Sequence, residues 1–378
     1  MSRKIIGVDL RCLPQDGSAG AGVAHAARAI CDTLLSQLLQ STSHVELKFY
    51  VPEGADWKTG DIVRLEDTTG RSLRSALKEK PCDLLFVPGG SVAPAIQVPT
   101  IPWVHDLIIF EHPEWFNQRL WQRMITTHLF KKGLKRAPII LAVSEYTKSK
   151  IVQLLGIDES KIIVSGEGGD NSITDYQLPI IDLKKEAKSF CEKELKLNRD
   201  FVLCLGTVEP RKNVAMLIRA WKKAKQKMVK VPDLVVAGLN GWKFEDVEAE
   251  IKLLTACEDQ FFHRFRAVTN EQKQTLLLAA GLVAVPSLDE GFGLVALEAM
   301  QAGTPVAVSN RGALPEVVGE AGMLVDPQDE QAWASVMLTC AEDERACKLR
   351  SEMGLEQAKK FSWDKSAKIV IETLETRF

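Results

Sequence analysis

The sequence contains no Cys-x-x-Cys pair, no Asp-x-Asp, and no apolar stretch near the roughly 20 residues needed to cross a bilayer. Its longest apolar run extends only from Leu276 to Val285. The 8 cysteines (Cys12, Cys31, Cys82, Cys191, Cys204, Cys257, Cys340 and Cys347) are scattered, so they outline neither a disulfide framework nor a thiolate metal site. They read as reduced thiols of a cytosolic protein. An excess of one charge is also missing. Lys and Arg number 48 against 50 Asp and Glu, a net charge of −2, so no global field draws the chain onto nucleic acid. The opening segment MSRKIIGVDL enters a strand-like run without an apolar signal core. These absences describe a soluble, cytoplasmic chain, peripheral to a membrane at most, in which any anionic ligand must be held locally.

What is present is alternation. At 378 residues, two domains are expected. Strands are predicted over Ile5–Leu10, Val45–Val51, Asp83–Val87, Thr100–Val104, Ile139–Val143 and Lys161–Val164, with helices over Val23–Leu39, Trp115–Lys135 and Glu145–Leu155. The stretch 166–190 is glycine-rich at its start, carries a proline and lacks a long apolar strand, which reads as a linker. A second alternating series follows, with strands over Phe201–Leu205, Asp233–Ala237, Arg264–Val268, Leu282–Val285 and Pro305–Val308. Its helices are expected over Asn213–Lys227, Glu245–Cys257, Glu271–Ala280 and Leu294–Gln301. The pattern specifies an α/β fold of two tandem, doubly wound, Rossmann-like domains facing a cleft. The boundaries expected are 1–175, a linker at 176–195, 196–360, and a closing segment at 361–378.

Three loops of the second half follow strands and precede helices. In GTVEPRKN, Gly206 is followed by Arg211 and Lys212 at a helix start, where two cations beside unpaired backbone N–H groups can clamp a diphosphate. In SLDEGFGLVALEAM, Gly291 and Gly293 allow close backbone approach, and the helix opening near Leu294 aims its positive end at a ligand. Glu290 and Glu298 lie eight residues apart, at most about 12 Å along a helical path. Hydrolytic carboxylate pairs act across one bond at about 5–9.5 Å, so these two suit hydroxyls at opposite ends of an elongated ligand. The third loop, SNRGALPEVVGEAG, offers Asn310 and Glu316. Taken singly, each loop has an ordinary structural explanation: solvated cations, a helix-capping acid, or a plain turn.

Together the loops resemble those of the retaining GT-B glycosyltransferases, specifically the large group 1 family (family 4). GTVEPRKN, PSLDEGFGLVALEAMQAGTPVAVSN and GALPEVVGEAGMLVDP occur in order. The resemblance implies that Glu290 lies at the donor sugar, that Glu298 binds the ribose, and that Arg211 and Lys212 contact the diphosphate. Backbone at Gly206, Gly291, Phe292, Gly293 and Leu294 would complete the cradle. WVHDLIIFEHPEWF resembles the family's His-Asp segment, which places His105 near the donor sugar. The bland alternative for His105 is a histidine satisfied by backbone at a strand end. FSWDKSAKIVIETLE looks like the family's closing helix, which crosses back onto the N-terminal domain.

Two departures stand out: GEGGD replaces the usual Asn-Gly at the hinge, and GSAGAGVAHAAR, with Gly20 and Gly22, replaces a glycine turn followed by Arg-Tyr. The implied activity is retaining, metal-independent transfer from a GDP- or UDP-sugar, mannose being favoured, to a glycan or lipid-linked acceptor. No further cofactor and no metal ion is expected. Competing readings are an epimerase or phosphorylase on the same fold and a non-catalytic nucleotide-sugar-binding module. The stretch 115–136 carries Arg119, Arg123, Lys131, Lys132, Lys135 and Arg136 with Trp115, Phe116 and Trp121, and no acid. It reads either as an amphipathic helix with a solvated basic face or as a contact for an anionic membrane or lipid-diphosphate acceptor.

Overall fold

A computed structural model describes residues 4–16, 22–40, 45–90, 92, 96–170, 179–198, 200–227, 231–256 and 259–376. The chain divides into two compact units. One comprises Met1–Pro113, Gln118–Gly168 and Ser362–Phe378; the other comprises Glu114–Asn117 and Gly169–Phe361.

The first unit is built on a seven-stranded parallel sheet: β1 (Lys4–Asp9), β2 (Val45–Pro52), β3 (Asp61–Leu65), β4 (Leu84–Val87), β5 (Thr100–Val104), β6 (Ile140–Ala142) and β7 (Ile162–Val164). Their order is β3-β2-β1-β4-β5-β6-β7, so the winding reverses between β1 and β4. Strands covered by helices on both faces need unbroken apolar runs, and LLFV of β4 and ILA of β6 are buried at every position. Ser144 caps the helix Glu145–Leu155 by accepting from the Thr147 N–H, and Gly156, at φ 64°, ends it.

The closing helix Trp363–Glu375 packs on the helix Val23–Gln40 of this unit. Its buried side chains Trp363, Ala367, Val370 and Leu374 recur at helical spacing. Gln37 Nε2 donates to the carbonyl and Oδ1 of Asp364 at 3.2 and 3.1 Å. The Trp363 ring meets Trp103 edge-on, with centroids 6.3 Å apart.

The second unit holds β8 (Phe201–Leu205), β9 (Asp233–Ala237), β10 (Phe262–Phe265), β11 (Leu282–Val285), β12 (Val306–Ser309) and β13 (Met323–Val325). All run parallel in the order β10-β9-β8-β11-β12-β13, and the reversal falls between β8 and β11. Trp221 and Trp333 anchor its core, fully buried.

Several elements differ from the sequence reading. The stretch assigned to the linker contains the helix Ile180–Glu194, which buries only Leu183, Ala187 and Cys191 against the helix Asn270–Ala279. A stripe one residue wide per turn is a weak periodic signal. Residues 171–178 of that stretch lie outside the described residues, as do Gly20 and Cys257. β3 reads poorly because DIVRL is a half-exposed edge strand. The helix expected over Trp115–Lys135 begins at Leu120.

Trp363→Ala empties a fully buried aromatic site and is expected to cost about 3–5 kcal/mol of stability in urea denaturation. An unchanged midpoint would mean that the last helix is not part of the first unit's core.

Candidate active site

In an open parallel sheet, ligands bind beyond the strand C-termini where the winding reverses. The loops after β8 and β11 meet there. After β8 the chain turns at Gly206 and forms a short 3₁₀ turn, Pro210–Lys212, ended by Asn213 at φ 54° and ψ 33°. Asparagine tolerates this left-handed conformation better than most residues. Its Nδ2 donates to the Pro286 carbonyl at 3.2 Å and to the Pro327 carbonyl at 2.8 Å, tying the loops after β8, β11 and β13 together. The Leu288 N–H donates to the Arg211 carbonyl at 2.8 Å, adding a main-chain tie.

This frame delivers two cations to one acid. Glu290 is 7% exposed, and its carboxylate accepts from Lys212 Nζ at 2.6 Å, from Ser287 Oγ at 2.8 Å and from Arg211 Nη1. Burial pushes its pKa up, but Arg211 and then Lys212 outweigh burial and bring it down to about 2. Arg211 is also held by Glu209, whose Oε1 accepts from Nη2 at 2.8 Å and from Nε at 3.1 Å. Glu209 is 7% exposed, so two buried carboxylates face two cations. A permanently ionised, doubly clamped Glu290 is suited to accepting hydrogen bonds and unsuited to delivering protons at neutral pH.

The glycines show why side chains are excluded here. A Cβ on Gly312 would lie 2.5 Å from both N and O of Glu290, and one on Gly293 would lie 2.6 Å from Leu314 Cδ2. Gly293, at φ 113°, opens the helix Leu294–Gln301 with no side-chain cap, leaving its first N–H groups for a ligand. Gly291 is buried in the same turn. Phe292 packs its ring against Phe361, centroids 5.6 Å apart, so only its backbone is left to serve a site. Asn310 is exposed and bonds through its N–H to the Val325 carbonyl, and Glu316 is exposed as well. Gly22, at φ 54°, precedes the first helix of the other unit.

Glu298 does not join the Arg211 cluster. It is 4% exposed, and its Oε1 accepts from Lys273 Nζ at 2.9 Å. His105, in the first unit, has both ring nitrogens engaged: Nδ1 with Glu167 Oε1 at 2.8 Å and Nε2 with the Pro88 carbonyl at 2.7 Å. Both partners are acceptors, so donating to both at once requires the doubly protonated ring. Burial opposes that charge, but the hydrogen bond and field of Glu167 overcome it and raise the pKa. A sugar hydroxyl at His105 would have to compete with these partners.

Sequence reasoning missed Glu209, Asn213, Ser287, Glu167 and Lys273. The first three stand inside the quoted motifs and were legible as polar neighbours of the chosen residues. Glu167 belongs to the GEGGD departure, and its acid is the counter-ion of a histidine 62 positions away. Lys273 has no local signal.

The pairing of Glu290 sets an acid limit. Its pKa is depressed in the folded chain, so its stabilisation is complete above the ordinary carboxylate value of 4.5 and is lost as pH falls towards about 2. The stability gap between the wild type and Glu290→Gln should therefore close by up to about 3 kcal/mol between pH 5 and 2. Denaturant titrations across that range measure it, and a constant gap would refute the clamp.

Comparison with known proteins gives the site a lineage. Residues 186–360 match the family described as glycosyl transferases group 1. O-antigen chain mannosyltransferase B of Escherichia coli is 31% identical over 260 residues, 69% of this chain and 66% of that protein. A serotype-specific mannosyltransferase of Escherichia coli is 28% identical over 302 residues, 76% of this chain and 35% of that protein. The match thus spans less than two thirds of the length of these curated relatives. Among solved structures, sucrose-phosphate synthase from Thermosynechococcus elongatus superposes with a TM-score of 0.77 at 18% identity, covering 100% of this chain and 99% of that one. Anabaena HepE in complex with UDP-glucose gives 0.72 at 19% identity, covering 99% of each. Residues 186–360 thus resemble a glycosyl transferases group 1 domain, within a GT-B fold of two parallel-sheet units, and mannosyltransferases are among the similar proteins.

Proposed function

We propose that the chain is a hexosyltransferase that moves a sugar from a nucleoside-diphosphate donor to a glycan or lipid-linked acceptor, with retention at the anomeric carbon and without a metal ion. The observation that carries this reading is the convergence of Arg211 and Lys212 on Glu290 at the β8/β11 reversal, beside the open helix start at Gly293. In this reading the two cations and the N–H groups at Gly293 and Leu294 stabilise the negative charge that develops on the leaving diphosphate. Backbone at Gly206, Gly291 and Phe292 lines the same cradle. Glu290, ionised and immobile, positions the donor sugar through its hydroxyls, and Glu298 takes the ribose. His105 lies near the donor sugar in this reading. Mannose is favoured because two relatives are mannosyltransferases, and a nucleotide-sugar donor because HepE is seen with UDP-glucose.

A panel of UDP-, GDP- and ADP-sugars, scored by thermal shift and then by nucleoside-diphosphate release with acceptors, tests the reading. Arg211→Ala removes charge-assisted contacts to the diphosphate. It should weaken donor and free nucleoside diphosphate alike, by about 10–100-fold. Glu290→Gln should instead lower turnover about 100-fold with a much smaller effect on diphosphate binding. Full activity in Glu290→Gln would remove that residue from the site.

The proposal includes a peripheral membrane contact within 115–136 and a cytoplasmic location. At the start of that stretch, Trp242 stacks on Phe116 and donates to the Trp115 carbonyl. The helix Leu120–Arg136 exposes Leu120 (70%), Trp121 (57%), Met124 (63%) and Ile125 (52%). Arg123, Lys131, Lys132 and Lys135 accompany them with no acid in the helix. Apolar side chains enter the headgroup boundary while cations meet anionic lipid. Among the described residues no helix is long and apolar enough to cross a membrane. Vesicles containing phosphatidylglycerol should retain the protein and pure phosphatidylcholine vesicles should not. Charge reversal at Lys131, Lys132 and Lys135 should abolish retention; failure of the wild type to bind at low salt would end this part of the proposal.

A further inference from the structure

Lys273 is an unlikely place for a cation. It stands near the N-terminal end of the helix Asn270–Ala279, where the helix dipole disfavours positive charge, and its side chain is only 16% exposed. Two carboxylates keep it there: Glu298 Oε1 at 2.9 Å and Asp170 Oδ2 at 3.2 Å. Both acids are themselves largely buried, with side chains 5% and 15% exposed. The next residue, Gln274, donates to the same Asp170 oxygen at 3.4 Å. One ammonium thus joins three separate stretches of the second unit: the start of Asn270–Ala279, the middle of Leu294–Gln301, and the loop following Gly169.

The geometry at Glu298 is asymmetric. Oε1 is occupied by Lys273, whereas Oε2 has no hydrogen-bond partner among the described residues. With one oxygen clamped by Lys273, the other is an acceptor whose orientation is already fixed. Binding a hydroxyl pair then costs little further side-chain ordering.

We infer that Lys273 is a positioning residue for nucleotide recognition: it fixes Glu298 through Oε1 and presents Oε2 to the hydroxyls of the nucleoside. This inference rests on the reading of Glu298 as the ribose contact. Lys273 itself touches no substrate and acts through the acid.

Calorimetric titration separates this role from a purely structural ion pair. The ligands are UDP, GDP, and the 2′,3′-dideoxy form of whichever binds more tightly. Wild type should prefer the ribonucleotide over its dideoxy form by about 10–100-fold, the range of one charge-assisted hydrogen bond. Lys273→Met should lose that preference, weakening the ribonucleotide by the same factor while binding the dideoxy ligand nearly as wild type does. Lys273→Arg should restore most of the preference. If the methionine variant does not fold, Lys273→Gln, which keeps a donor but no charge, should show a smaller loss confined again to the ribonucleotide. Asp170→Asn leaves the Lys273–Glu298 pair in place and should retain the preference. Equal weakening of both ligands, or full preference in Lys273→Met, would overturn the inference. A wild type that binds both nucleotides without preferring hydroxyls would overturn the ribose reading of Glu298 and this inference with it, leaving the diphosphate clamp standing. A wild type that binds neither nucleotide would overturn the donor-site reading itself.

Discussion

Glu290 is the anion around which the strand ends of the second sheet are arranged. Burying a carboxylate costs several kcal/mol unless opposite charges and hydrogen bonds accompany it. Arg211 and Lys212 arrive from the loop after β8, Ser287 from the loop after β11, and Gly312 admits the acid's backbone by having no side chain. Asn213 holds the loop ends in register by reaching two carbonyls from a left-handed turn. These contacts tie the loops to one another, so the point where the sheet reverses its winding is one electrostatic unit.

Charge balance gives that unit its resting character. Glu209 and Glu290 offset Arg211 and Lys212, so the cations are positioned by protein carboxylates before any ligand enters. An anionic ligand is then recognised by groups that need little reorganisation, which is how fixed charges lower barriers most effectively. His105 shows the same logic in the other unit, where Glu167 pairs with the imidazole at a strand end and raises its pKa. In both places an acid orients a cation, and the acid is the less conspicuous member of the pair in the sequence.

The fold was legible because burial on both faces imposes apolar runs. β4, β5, β6, β8, β9 and β11 are visible for that reason, and their alternation with helices dictates parallel winding. Elements that bury one narrow stripe, such as Ile180–Glu194, or lie at an edge, such as β3, leave no comparable trace. The site was legible where chemistry is concentrated in a few consecutive residues, as in GTVEPRKN and EGFGLVALE. It was illegible where a partner is supplied from far along the chain. Lys273 lies 25 positions before Glu298, and nothing near either residue announces the other. Phe292 divides its parts: its ring packs on Phe361, and only its backbone is left for the cradle that the motif implies.

The first unit is discontinuous in sequence, and this imposes an order on its birth. Its helix Val23–Gln40 is made well before Trp363–Glu375, yet the apolar face that covers it belongs to that later helix. Residues 169–361, which form nearly all of the second unit, emerge between the two. The second unit's residues are therefore all made before its neighbour is complete, while the helix Val23–Gln40 keeps an uncovered surface until Trp363–Glu375 has emerged.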